Sequence, residues 1–301
     1  MASDGTSNDP VEKHPQPETE GEQLPGPGAS GSVTGNMGDE PDHGEETYRG
    51  TGKLTDRVAI VTGGDSGIGR AVALAFAREG ADVVLSYLEG EEDDGRRTAQ
   101  LVEDSGRRAV LVPGDLTTED ACHELVERTV TELGRIDVLV NNAAYQMAQP
   151  GGIADITTEQ LDRVMKTNLY VLFWLCKMSL PHMAAGSSII NTSSVQASSP
   201  SPELLDYATT KAGIVNFTRG LASMVAEQGI RVNSVAPGPI WTPLIPSTMP
   251  VEEVAKFGSQ VPMKRPGQPK EVAAVFVFLA SDEASYVSGA RYAVTGGSPI
   301  L

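Results

Sequence analysis

The stretch RVAIVTGGDSGIGRAVALAFAREGADVVLSY, residues 57–87, decides the fold. "RVAIVTGG" is a short β-rich run, apolar at successive positions, that ends in glycine. "IGRAVALAFAREG" follows with a helical pattern, and "ADVVLSY" is a second apolar run. A strand that is apolar on both faces belongs in a parallel sheet covered by helices on both sides. The turn TGGDSGIG (62–69) between strand and helix spaces Gly63, Gly67 and Gly69 as GxxxGxG. One glycine allows the tight turn, one the close approach of backbone to a phosphate, and one the close packing of helix on strand. The helix N-terminus then offers free N–H groups to an anion. Glycines are frequent in strand–helix turns, so the cluster gains meaning from its place after the first strand of an alternating chain.

The alternation continues outward. A charged helix (about 92–105) precedes "RRAVLVPGD" (107–115), and a helix over 118–133 precedes "RIDVLVNNAA" (135–144). "SSIINTSS" (187–194) and "IRVNSVAPG" (230–238) each follow a long helical stretch. The expected fold is α/β, a single doubly wound Rossmann-type domain with a parallel sheet over residues 54–301. Ligands should collect at the carboxyl ends of its strands.

Residues 1–50 have a different texture. They hold 6 Pro, 9 Gly and no Ile, Phe or Trp, and their 11 Asp and Glu face only Lys13 and Arg49, a net of −9 within a chain total of −17. Such a segment cannot bury enough apolar surface to offset its conformational entropy, so a disordered acidic tail is expected, with residues 40–55 as a possible arm along a partner surface. The other 251 residues keep about −8, ordinary for a soluble enzyme, and the balance argues against nucleic acid as a partner. The longest apolar run, "VAAVFVFLA" (272–280), is far short of the ~20 residues of a membrane span. Cys122 and Cys176 form no CxxC, and His14, His43, His123 and His182 form no ligand cluster, so neither a disulfide framework nor a protein-built metal site is expected. The cytoplasm is the expected location.

"LLDYATTKAGIVNF" (204–217) places Tyr207 and Lys211 one above the other on a helix face. By itself the pair reads as a half-buried packing tyrosine beside a solvated lysine. A phenol with a pKa near ~10 is a poor base at neutral pH, and a cation held one turn away would lower it. Tyr207 would then exchange a proton with a carbonyl or alcohol, while Ser194, at the end of a strand, would hydrogen-bond the substrate oxygen.

"VTGGDSGIGRA", "NNAA" (141–144), "YATTK" (207–211) and "APG" (236–238), in this order and spacing, resemble the short-chain dehydrogenase/reductase superfamily. "PSPELLDYATTKAGI", "RVNSVAPGPIWTPL" and "PMKRPGQPKEVA" resemble its glucose/ribitol dehydrogenase-like and aldehyde-reductase branch, whose N-terminal arm ends like "ETYRGTGKL". The resemblance implies four catalytic residues, Asn168, Ser194, Tyr207 and Lys211. It gives Lys211 a hold on the nicotinamide ribose and Asn168 a proton-supplying water chain. It implies cofactor contacts at Gly63, Asp65, Ser66, Gly67, Ile68, Gly69, Tyr87, Asp115, Leu116, Asn142, Ala143, Pro237, Gly238, Ile240 and Thr242, besides Tyr207 and Lys211. It also implies a homotetramer, with helices around 160–184 and 203–228 pairing between subunits and residues 40–55 crossing onto a neighbour. Ala144 stands where the family usually has glycine, and "VTGG" (294–297) where it has Asp before two glycines.

The second strand ends "LSYLEGEEDD" (85–94). Tyr87 occupies the place of an NAD-selecting Asp, Leu88 that of an NADP-selecting Arg, and Arg70 is the nearest cation. NADP(H) is favoured, with NAD(H) the alternative. The segments 195–206 and 240–258 should form the substrate pocket and its lid, with Gln196 and Trp241 as the side chains to watch. The expected function is hydride transfer between NADP(H) and a small carbonyl or alcohol, an aldehyde or a sugar. An NAD-dependent sugar or polyol dehydrogenase is the alternative, and a non-catalytic nucleotide-binding regulatory protein is the reading from another class.

Overall fold

The computed structural model of the protein describes residues 34, 35 and 37–300. Its sheet has seven strands: β1 (Val58–Thr62), β2 (Asp82–Tyr87), β3 (Ala109–Pro113), β4 (Val138–Asn141), β5 (Ser188–Thr192), β6 (Arg231–Pro237) and β7 (Arg291–Val294). They pair in the order β3-β2-β1-β4-β5-β6-β7, every pair parallel. The pleat of β1 shows why its sequence is apolar throughout. Ala59 and Val61 face one core, packed with Phe76 and Phe276, while Ile60 faces the other, packed with Leu125 and Leu175. The first layer is built by α1 (Gly67–Arg78), α2 (Glu92–Asp104) and α9 (Pro269–Ala280). The second is built by α3 (Glu119–Leu133), α5 (Val171–Ser179) and α6 (Leu205–Val225). Winding runs outward from β1 on one side and from β4 on the other, which opens a crevice at the carboxyl ends between them.

The first of the two expected long helices is segmented. α4 (Thr158–Met165) passes through a π-turn, Lys166–Tyr170, in which the Val171 N–H bonds the Lys166 carbonyl, and continues as α5. It ends in a short turn, Leu180–His182, where Pro181 has no N–H to give. The π-turn coincides with "KTNLY" and so sets the direction of Asn168. Two short helices, α7 (Leu244–Thr248) and α8 (Val251–Val254), lie between β6 and α9.

The expected tail divides. Residues 1–33 and 36 lie outside the described residues, whereas from Met37 the chain is laid along its own domain rather than left as a tail. Arg78, at the end of α1, donates to the carbonyls of Gly44, Glu45 and Tyr48 at 2.9, 2.6 and 2.8 Å. Glu79 accepts from the Tyr48 hydroxyl (2.6 Å) and from the backbone N–H of Thr51 and Lys53 (2.8 and 3.0 Å). Asp42 pairs with Lys270 and donates its N–H to Gln268 at the start of α9. What the composition hides is that the domain supplies the partners: an isolated segment has no core, but Arg78 and Glu79 provide anchoring it cannot make for itself.

Burial alone would raise the Glu79 carboxyl, but the Tyr48 hydroxyl and the Lys53 and Thr51 N–H groups outweigh it and hold its pKa below the ordinary value. A lowered folded pKa means that Glu79 contributes stability above the unfolded carboxylate range and loses it as pH falls through the folded value. Glu79→Ala should therefore cost roughly 3 kcal/mol at neutral pH. Calorimetry should find the melting temperature lower by about 6–12 °C, with the difference closing below pH ~4.

Candidate active site

The crevice at the switch point is a cleft of about 380 Å³ that runs from Tyr87 to the α7–α8 segment. Its floor is the glycine turn. Gly63 and Gly67 have φ of +60° and +49°, the left-handed region that side chains resist. A β-carbon on Gly69 would stand 1.8 Å from the Gly63 carbonyl oxygen, so the sharp turn exists only with glycine there. Ser66 caps α1 without a side-chain bond to the helix backbone, which leaves the first N–H groups of the helix for an anion. Asp65 lies in the same turn, and burial raises its carboxyl above the ordinary range against the opposing pull of Ser66 and Arg70.

Thr62, which sequence reasoning passed over, fastens the turn to the next loop. Its hydroxyl accepts from the N–H of both Asn142 and Ala143 at 2.9 Å, and Asn142 Nδ2 returns a bond to the Thr62 carbonyl at 3.1 Å. Its only sequence signal is a hydroxyl residue at the last position of an otherwise apolar strand. Gly63, Asp65, Ser66, Gly67, Ile68, Tyr87, Asp115, Leu116, Asn142, Ala143, Pro237, Gly238, Ile240 and Thr242 all line the cleft. Gly69 lies behind them as packing. Arg163 also reaches the wall, paired with Asp115 at 2.5 Å and standing over the Tyr145 ring. That pair and the Thr117 N–H hold the Asp115 carboxyl below its usual range although burial opposes them.

Ser194, Tyr207 and Lys211 meet at the other end, on the ends of β5 and α6. The Ser194 hydroxyl accepts the Gln196 N–H at 3.1 Å and shares the cleft wall with the Tyr207 phenol. Lys211 Nζ donates to the Thr192 carbonyl at 2.8 Å and lies 5.2 Å from the centre of the Tyr207 ring. Both are buried. The expected electrostatics are reversed here: burial pushes Tyr207 up to about 12, with Ser194 opposing, and pushes Lys211 down to about 7. Desolvation of the amine wins because, among the described residues, a single backbone carbonyl accepts its hydrogen bond.

Asn168 is buried but does not line the cleft. Its amide accepts from the Tyr145 N–H (2.8 Å) and donates to the Tyr145 carbonyl (2.9 Å) and to the Thr210 hydroxyl (3.0 Å). It thereby ties the loop after β4 to α6. Gln196 lines the cleft, its side-chain carbonyl accepting the Ser201 N–H at 2.6 Å. Trp241 does not. It is turned to the outside, with its indole N–H on the Asp39 carbonyl at 2.9 Å, because Met37 provides an apolar seat there.

Arg70, the cation expected nearest the adenosine ribose, is withdrawn as well. It is wholly buried, donating to the Asp65 carbonyl (2.8 Å), to Thr98 (3.0 Å) and to Asp94 (2.6 Å). The wall it leaves is formed by Tyr87, Leu88 and Glu91, with Gly95 small enough to let the Tyr87 ring lie against α2. Among the described residues no three His, Cys, Asp or Glu gather in a way that could hold a metal ion, and no helix is long and apolar enough to cross a membrane.

A left-handed glycine turn under free helix N–H groups, with a tyrosine, a serine and a lysine across the same cleft, defines a dinucleotide-dependent oxidoreductase site. Comparison with known proteins agrees. Residues 63–298 match the family profile described as enoyl-(acyl carrier protein) reductase. An uncharacterised oxidoreductase of Escherichia coli, YghA, is 50% identical over 290 residues, 96% of this chain and 97% of its own length. A glucose and ribitol dehydrogenase homologue of rice is 51% identical over 267 residues, covering 84% of this chain and 89% of its own. A short-chain dehydrogenase from Burkholderia cenocepacia in complex with NADP superposes with a TM-score of 0.76 at 30% identity, over 81% of this chain and 98% of that one. The chain belongs to the short-chain dehydrogenase/reductase family and is an NAD(P)-dependent oxidoreductase acting on small molecules.

The buried Lys211 amine has a measurable thermodynamic signature. Its pKa is depressed on folding, so the unfolded state binds the extra proton and the penalty is full below pH ~7 and gone above pH ~10.5. Lys211→Met should raise the melting temperature by several degrees near pH 7, a gain that shrinks as pH rises towards 10. A pH series of thermal melts measures it.

Proposed function

We propose that the protein moves hydride between NADP(H) and a small carbonyl or alcohol, an aldehyde or a sugar, with Ser194, Tyr207 and Lys211 as the catalytic group. The observation that carries this reading is the meeting of Ser194, Tyr207 and Lys211 on one wall of the cleft, with the Lys211 amine 5.2 Å from the centre of the Tyr207 ring. The nicotinamide supplies or accepts the hydride when bound. Ser194 orients the substrate oxygen and stabilises the charge that develops on it. Tyr207 holds the proton that a reduced carbonyl takes up. Lys211 would hold the nicotinamide ribose. Asn168 acts at one remove, fixing the Tyr145 backbone and Thr210 beside the site.

NADP is the ligand of the Burkholderia relative, and that supports the phosphorylated cofactor here. One observation favours NAD(H) as a second reading: Arg70 is spent on Asp94, and the wall around Tyr87 and Leu88 carries Glu91 and Asp65. The two readings separate in a rate measurement with each cofactor and a panel of short aldehydes, sugars and polyols. NADPH turnover on aldehydes supports the first; oxidation of sugars or polyols with NAD⁺ supports the second.

The homotetramer belongs to the same proposal. Leu161, Tyr170, Phe173 and Met224 stand exposed on α4, the π-turn, α5 and α6, large apolar side chains suited to helix pairing between copies. Cytoplasmic residence is supported by the two unpaired cysteines, buried thiols that burial pushes up to about 12.

Tyr207→Phe tests the chemistry. The ring still fills its buried place, so cofactor binding by fluorescence titration should be unchanged, while kcat falls by about 10³-fold or more. Undiminished turnover would sink the mechanism.

A further inference from the structure

We propose that Met37, the Asp39 carbonyl and Trp241 form a brace that positions the wall of the substrate end of the cleft, which makes Met37 and Trp241 positioning residues for the carbonyl substrate. The inference rests on the functional reading of the cleft given above, and two faces of one segment carry it. On the inside, Leu244, Ile245, Ser247, Met249 and Phe257 line the cleft together with Ser194 and Tyr207. On the outside, Ile245 and Val254, with Met249 and Phe257, pack on Met37 and Trp241, which are 7% and 6% exposed. Ile245, Met249 and Phe257 therefore serve both faces, and a shift of the outer cluster must reach the cleft through them.

The segment cannot hold its own position. α7 has five residues and α8 has four, well below the length at which a helix sustains itself, so its place comes from what it leans on. From within, Gln146 Nε2 donates to the Thr248 hydroxyl (2.9 Å) and the Ala148 N–H to the Thr248 carbonyl (3.2 Å). From without, the Trp241 indole N–H holds the Asp39 carbonyl, and its backbone N–H donates to Gly267 at 2.8 Å. The arm carrying Met37 is anchored separately, by Glu40 on Arg97 (2.9 Å), by Asp42 on Lys270 and by the Arg78 bonds. Met37 packs in the outer cluster and does not line the cleft that holds Ser194, Tyr207 and Lys211, so its loss acts on the wall and leaves the reacting groups in place.

The test compares full-length wild type with Met37→Ala, Met37→Leu and Trp241→Phe. Steady-state kinetics with a short aldehyde at saturating cofactor are measured beside hydrogen exchange of residues 244–257. Met37→Ala should raise KM for the aldehyde about 3–10-fold, with kcat and the dissociation constant of the cofactor within about twofold of wild type. Exchange should quicken at 244–257 and not in the sheet. Met37→Leu should restore both, and Trp241→Phe, which keeps an aromatic ring but removes the indole N–H and part of its volume, should move them in the same direction as Met37→Ala. Unchanged KM or unchanged exchange in Met37→Ala overturns the proposal. So does a joint fall in kcat, cofactor binding and protection throughout the sheet, which would mean general destabilisation. A wild type that turns over no carbonyl refutes the functional reading and the substrate half of this proposal with it, while exchange at 244–257 still decides whether the brace exists.

Discussion

Everything in this molecule turns on how closely two glycines approach. The Gly63 carbonyl lies where a β-carbon of residue 69 would have to be, and that contact folds the end of β1 directly into α1. The helix therefore begins over the carboxyl edge of the sheet with its free N–H groups aimed into the crevice. Thr62 fixes the other side by holding Asn142 and Ala143, so the first and fourth strands deliver their loops to one place. A methyl group at residue 69 would push α1 from the sheet, and with it Phe76 from the core it shares with Phe276.

The other end of the cleft is governed by dehydration. Tyr207 and Lys211 are stacked as the sequence implies, yet proximity alone does not set their protonation. The Lys211 charge is weakened by the same burial that brings it to the phenol, and the Ser194 hydroxyl is the polar contact that pulls the phenol back. Burial holds the Lys211 amine well below its ordinary pKa, so a negative charge arriving beside it would favour the protonated form.

The fold was legible because its signals are local. "VAIVT" and "IDVLV" are apolar at every step, and only a strand covered on both faces uses such a sequence. Tyr207, Lys211 and Ser194 were legible for a related reason: one lies a helical turn from the next, and the third ends a strand. The misread residues are those whose direction is set by distant partners. Arg70 follows the glycine turn directly, yet Asp94 and Thr98 of α2 draw it under the turn and away from the cleft. Trp241 sits in a segment that lines the pocket, and Met37 decides that it faces out. The arm looked like a tail because its composition is that of a tail; its partners Glu79, Gln268 and Trp241 are scattered far along the chain. Asn168 was legible as a residue but not as a geometry, since nothing in "KTNLY" announces a π-turn.

The arm has a further consequence, in time rather than in space. Asp39 and Trp241 are separated by 202 residues, and Asp42 and Gln268 by 226. At a synthesis rate of roughly 5–20 residues per second, a segment made early waits tens of seconds for its seat to emerge. Arg78 and Glu79 come sooner, so the two ends of the arm settle at different moments of biogenesis. The closure of Met37 over Trp241 waits until six of the seven strands have been translated, and the Asp42–Gln268 bond follows it.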